Sequence, residues 1–193
     1  RINEMDFDIP IAHKGKPINS SDLAHAFIKD KSARFSSSYA DQLSKLNFNS
    51  RGFLTGSIDL VFSFKDFSNN IQWWIVDWKS NWIGSPSIRE ENIICGPRNY
   101  NEDAVMNQMI VHHYPLQAHL YLVALHRFLS WRSPNYSMKN NLGGYIYIFL
   151  RGVPDPDLMS KISSDEYIPG LIVEKAPYER IKILNQILDK GGK

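Results

Sequence analysis

At 193 residues with 43% hydrophobic side chains, the chain is long enough to bury one core without disulfides or a structural metal, and nothing marks a second domain. A formal charge of +2 gives only a faint bias toward polyanions, so charge alone argues for no nucleic-acid partner. The single cysteine, Cys95, excludes an internal disulfide framework and suits a reducing cytoplasm, and no run reaches the roughly 20 apolar residues of a membrane helix.

The chain opens on Arg1, with no basic segment followed by an apolar one, and reads as a fragment of a longer chain. Glu4 to Ile11 alternates as a strand, and Ser20 or Ser21 is placed to cap a short helix through Leu23, Phe27 and Ile28. Gly52 to Phe64 reads as a long strand, Lys65 to Asn70 as a turn and Ile71 to Lys79 as a second strand. Such a hairpin sets Asp59 and Asp77 on neighbouring strands where their side chains can converge. Gly84 to Asn101, rich in Gly, Pro, Ser and Asn, reads as a loop long enough for a lid or an insertion. Asn101 caps a helix through Val105, Met109 and Ile110, and Pro115 opens a long helix to about Ser130. Gly143 and Gly144 open an apolar strand, Tyr145 to Leu150, and Tyr178 to Leu188 repeats apolar residues at helical spacing.

Asp59, Asp77 and Lys79 stand inside segments apolar enough for a sheet interior, where an unpaired carboxylate is expensive. Two hard oxygen ligands on adjacent strands suit Mg²⁺, and phosphodiester hydrolysis is the matching chemistry. Lys79, two residues past Asp77, returns to the same strand face. The plain structural alternative is a buried salt bridge between Asp77 and Lys79. Gln117 and Tyr121 share a helix face, with His113 one turn earlier, where they could line a nucleic-acid groove, but by themselves they read as a satisfied helix surface first. His112, His119 and His126 recur every seven residues, but structural zinc sites recruit cysteines or close His spacings. Tryptophans 73, 74, 78 and 82 read as core before they read as a base-stacking platform.

In order, these segments resemble the C-terminal nuclease family of RecB, within the PD-(D/E)XK superfamily. Glu4 to Ile11 is similar to the first core strand, and Arg51 to Phe62 to the strand bearing the first motif aspartate. Asp77-Trp78-Lys79-Ser80-Asn81-Trp82 resembles the D-x-K segment with its S-N-W tail, Tyr114 to Leu129 the Q-x-x-x-Y helix, and Gly143 to Gly152 the strand after it. The resemblance implies a restriction-endonuclease-like α/β core, a mixed central β-sheet flanked by helices, with residues 1–193 forming a single nuclease domain. It implies that Asp59, Asp77 and the backbone carbonyl of Trp78 hold Mg²⁺, that Lys79 is the catalytic lysine, and that Gln117 and Tyr121 support the site and touch DNA. It further implies a histidine ligand on a helix upstream of the first core strand, outside this sequence; His13 and His25 follow Glu4 to Ile11 and so stand in the wrong place. With that ligand absent, metal affinity and cleavage by residues 1–193 alone should be low.

The intact protein implied is a bacterial cytoplasmic deoxyribonuclease of the exodeoxyribonuclease V type. It would act on unwound DNA in double-strand-break repair and recombination, beside an upstream ATP-driven helicase region and with RecC and RecD as partners. Two alternatives remain: a catalytically incomplete nuclease-like module for DNA binding or subunit docking, and a nuclease subunit of the AddA type. The stretch from Ser85 to Asn99 is longer than its family counterpart and has no assigned role.

Overall fold

The computed structural model describes residues 1–12, 15–30, 33–84 and 95–190. In chain order it contains β1 (Ile2–Ile11), β2 (Ile18–Asn19), α1 (Ser20–Lys29), α2 (Ser37–Ser44), β3 (Asn49–Ser50), β4 (Gly52–Lys65) and β5 (Ile71–Lys79). There follow α3 (Glu102–Val111), α4 (Tyr114–Arg132), α5 (Met138–Asn141), β6 (Leu142–Phe149), α6 (Pro156–Met159), β7 (Leu171–Lys175) and α7 (Tyr178–Lys190). The main sheet runs β1-β4-β5-β6-β7 and is mixed, because β5 and β6 pair in parallel while the other neighbours are antiparallel. This is the α/β architecture with a mixed central sheet and flanking helices that the sequence implies.

Local chemistry sets the elements. The β4–β5 turn is organised by Asp66, whose carboxylate accepts from the backbone N–H of Ser68 and of Asn70, both at 2.9 Å. Helix α1 starts one residue earlier than the sequence reading places it: Asn19 is the cap, accepting from Asp22 N at 3.0 Å while Asp22 accepts from Asn19 N at 3.0 Å. Ser20 is the first helical residue instead, buried, with its hydroxyl donating to Ser44 O. Most of the loop read over Gly84 to Asn101, and His13, lie outside the described residues; Pro97–Asn99 forms a 3-10 turn.

Helix α4 packs on β6 and α7 on β1, the two helices pack on each other, α1 lies against α7 and against α4 through Phe27 and His119, and Phe7 of β1 meets Tyr121 of α4 edge to face at 5.7 Å. Ile58, Val61, Ile75, Tyr145 and Tyr147 are buried beneath them. Among the described residues the opposite face stays partly open. Register puts Leu60, Phe62 and Phe64 of β4, Trp74, Val76 and Trp78 of β5, Ile146 and Ile148 of β6 and Val173 of β7 in one apolar field. Only Val76 of this set is buried, and Phe64, Trp78 and Val173 are 46%, 43% and 50% exposed. Of the tryptophans read as core, Trp73 packs against it half-buried, Trp74 is half-buried, and Trp78 and Trp82 are exposed instead.

Candidate functional site

Asp59 and Asp77 meet where β4 and β5 part. Ladder pairing runs from Lys65 opposite Ile71 to Leu60 opposite Val76 and stops one step short of the aspartates. The freed backbone amide of Trp78 donates to Asp59 Oδ2 at 2.9 Å, so a carboxylate stands where a ladder carbonyl would have been. The same place carries a backbone irregularity. Core-facing positions Leu54 and Ile58 are in step, but the next is Val61, and opposite them Met5 is followed by Ile2. Both strands break their alternation at once, between Ile58 and Val61 and between Met5 and Ile2, and Glu4 takes up a left-handed φ of 50°. A non-glycine residue held there is uncommon, and a local break of step is a known way to turn a side chain out of its row. By register Glu4 lies opposite Asp59.

Asp77 is 3% exposed, and Lys79 Nζ stands 2.5 Å from its Oδ2. That oxygen is buried and makes no hydrogen bond besides this ion pair. Burial pushes the Asp77 carboxyl above the usual carboxylate range; Lys79 pulls it back and the Asp59 charge adds to the rise. Lys79 Nζ also donates to Gln117 Oε1 at 2.9 Å, and Tyr147 OH donates to the same oxygen at 2.9 Å. Gln117 Nε2 donates to Tyr121 OH at 3.0 Å, and burial raises the Tyr121 hydroxyl, with the Asp77 charge adding to it. Gln117 and Tyr121 are thus drawn in behind the lysine.

The structure brings Asp59, Asp77, Lys79, Gln117 and Tyr121 together. It adds Tyr147, Tyr114 and Asn81 around the lysine: all three stood inside the segments that carry the resemblance, Asn81 in the S-N-W tail, but sequence reasoning gave none of them a role in the site. His113 does not share the Gln117 face. It is the N-cap of α4, in left-handed backbone, with Nδ1 3.3 Å from Tyr39 OH. His112, His119 and His126 go to three separate places: Gln108, the buried Arg180, and Tyr136.

Two adjacent carboxylates, one with a buried oxygen short of hydrogen bonds, suit a hard divalent cation that keeps waters in its shell. Among the described residues no three of Asp, Glu, His and Cys cluster as ligands, and no helix is long and apolar enough to cross a membrane. The Asp77–Lys79 salt bridge exists, but by itself it gives no reason for Asp59 beside it.

No family model matches the chain. It is 30% identical over 99% of its length to the RecBCD enzyme subunit RecB of Mycobacterium tuberculosis strain H37Rv, and covers 17% of that protein. It is 33% identical over 98% of its length to the RecB subunit of Mycolicibacterium smegmatis, again covering 17%, and 34% identical over 65% of its length to that of Escherichia coli K12, covering 10%. The chain therefore spans less than a fifth of the curated relatives it matches.

Proposed function

The chain belongs to the RecB family, and from that premise we propose that it is a metal-dependent deoxyribonuclease domain hydrolysing phosphodiester bonds of unwound DNA in double-strand-break repair. The observation that carries this reading is the paired carboxylates at the splayed end of β4 and β5, with the Lys79 ammonium 2.5 Å from one of them. Asp59, Asp77 and the Trp78 carbonyl would hold Mg²⁺, which when bound supplies an acidified water and neutralises charge on the phosphate. Lys79 orients the attacking water or a non-bridging phosphate oxygen; the new P–O bond forms as the bond to the leaving sugar oxygen breaks, the attacking water gives up a proton to solvent and the leaving oxygen takes one up from solvent. Gln117, shared by Lys79 and Tyr147, keeps the ammonium aimed. By the same family resemblance, a histidine from outside residues 1–193 completes the ligand set. The assembled enzyme would work with RecC and RecD in the bacterial cytoplasm, and ATP would serve a helicase region elsewhere in the protein.

The test is cleavage of single-stranded DNA in Mg²⁺ by a chain extended through the upstream helix, beside Asp77→Ala in the same chain. Loss of activity by about 100-fold or more is expected in the variant. Equal cleavage by both proteins would refute the site, and absence of cleavage by either would favour a docking module, for which the open apolar sheet face offers a surface.

A further inference from the structure

Resting on the nuclease reading, we propose that Tyr114, Tyr147 and Asn81 are positioning residues that hold the Lys79 ammonium without help from Asp77. The lysine would then keep its aim when the Asp77 carboxylate is engaged by a ligand.

A lysine ammonium is a point charge on a flexible stem with three N–H donors, and it needs more than one partner to be fixed in direction. Asp77 Oδ2 at 2.5 Å and Gln117 Oε1 at 2.9 Å account for two. The remaining side is closed by aromatic rings: Nζ lies 4.1 Å from the centroid of Tyr114 and 5.1 Å from that of Tyr147, both within cation–π range. The lysine side chain is 12% exposed, so water screens these contacts little.

The rings are themselves held. Tyr147 is buried in β6, 5.8 Å from Tyr114, and its hydroxyl shares Gln117 Oε1 with the lysine. Tyr114 stacks on His112 at 5.2 Å and donates its hydroxyl to Asn81 Oδ1 at 3.0 Å. Asn81 is anchored in turn, its carbonyl accepting from Tyr100 OH at 2.6 Å and its amide donating to Gln108 Oε1 at 3.3 Å. Asn81 thus follows Lys79 by two residues and reaches back to it through Tyr114. Of the partners of Nζ, Asp77 alone is a candidate metal ligand; Gln117 and the two rings remain available when its carboxylate is taken.

The test reads the lysine directly, in metal-free protein. Acetylation of Lys79 by an N-hydroxysuccinimide ester is followed by mass spectrometry, with exposed Lys182 as internal reference. In an Asp77→Asn background, Tyr114→Leu should speed acetylation of Lys79 roughly 3- to 30-fold relative to Tyr114, the range of cation–π contacts. Tyr114→Phe and Asn81→Ala break the same hydroxyl contact, so each should give a smaller rise and the double variant no more than the larger of them. In the active chain, Tyr114→Leu should lower kcat with KM for DNA little changed. Unchanged acetylation in Tyr114→Leu with circular dichroism intact overturns the proposal. If that variant does not fold, additive effects of Tyr114→Phe and Asn81→Ala overturn it. Equal DNA cleavage by Asp77→Ala and its parent would refute the nuclease reading instead, while acetylation still decides how Lys79 is held.

Discussion

His119 is fully buried on α4, with Nδ1 2.5 Å from the Pro115 carbonyl and Nε2 3.2 Å from Arg180 Nη1. A carbonyl only accepts, so Nδ1 carries the proton and Nε2 accepts from the guanidinium: the ring is neutral. Burial, reinforced by the Arg180 charge, pushes its pKa down to about 3. In the unfolded chain a histidine titrates near 6.5, so between those values the unfolded state binds the extra proton. The contribution to stability is therefore complete above pH ~6.5 and is lost as pH falls toward 3, at about 1.4 kcal/mol per unit. Urea midpoints should show the wild-type protein losing roughly 2 kcal/mol more than His119→Gln between pH 6.5 and 5; parallel pH profiles would contradict this. Sequence made this residue conspicuous for another reason, its place in a seven-residue recurrence with His112 and His126. What decides its role is Arg180, 61 residues away in sequence, which also donates to the carbonyls of Asp30 and Arg34 at 2.9 Å. No local pattern announces such a partner. Asp59, Asp77 and Lys79 were legible because polar groups in an apolar strand are conspicuous; Tyr114, Tyr147 and Asn81 were not, because their role arises only where three elements meet.

The β4–β5 hairpin was readable as an element because turn chemistry and two apolar runs agree, α3 because of its Asn101 cap and α4 because of Pro115 in its first turn. β7 was not. Its five residues, Leu171–Lys175, carry too little pattern, and β6 supplies its ladder through pairs from Gly144–Lys175 to Ile148–Leu171. Helix α2 is rich in serine, a residue that competes with helical backbone, and it is held by the buried Tyr39, Ala40 and Leu43 rather than by propensity. Two substitutions separate local from tertiary control. Asn19→Ala removes the α1 cap and should cost about 1 kcal/mol. Gly144 stands against the Glu174 carbonyl of β7, where an added Cβ would collide with backbone, at a φ of 159°. Gly144→Ala should therefore cost more, roughly 1–3 kcal/mol, by forcing β6 and β7 apart. Thermal melts of the two variants rank them; a Gly144→Ala protein as stable as wild type would mean that the β6–β7 contact is not fixed as described.

Across the whole molecule, one sheet face lies under α4 and α7 and, among the described residues, the other stays partly open. Apolar runs in β4 and β5 read as sheet interior, because a strand sequence records hydrophobicity and not what is present to cover it. The aspartates sit at the splayed edge between β4 and β5, so an ion held by both would tie the two strands together where their ladder stops. Such an ion binds the folded chain and not the unfolded one, and its binding energy appears as global stability. At a Mg²⁺ concentration ten times its dissociation constant, the unfolding free energy should rise by about 1.4 kcal/mol over that in EDTA. Asp59→Asn and Asp77→Asn should each abolish most of that increment. Asp77→Asn also removes a carboxylate whose ionisation is disfavoured by burial, so its melting temperature without metal is not the informative comparison. The informative quantity is the increment. A Mg²⁺-induced rise of equal size in wild type and both variants would place the ion elsewhere and leave the carboxylates without a role in holding it.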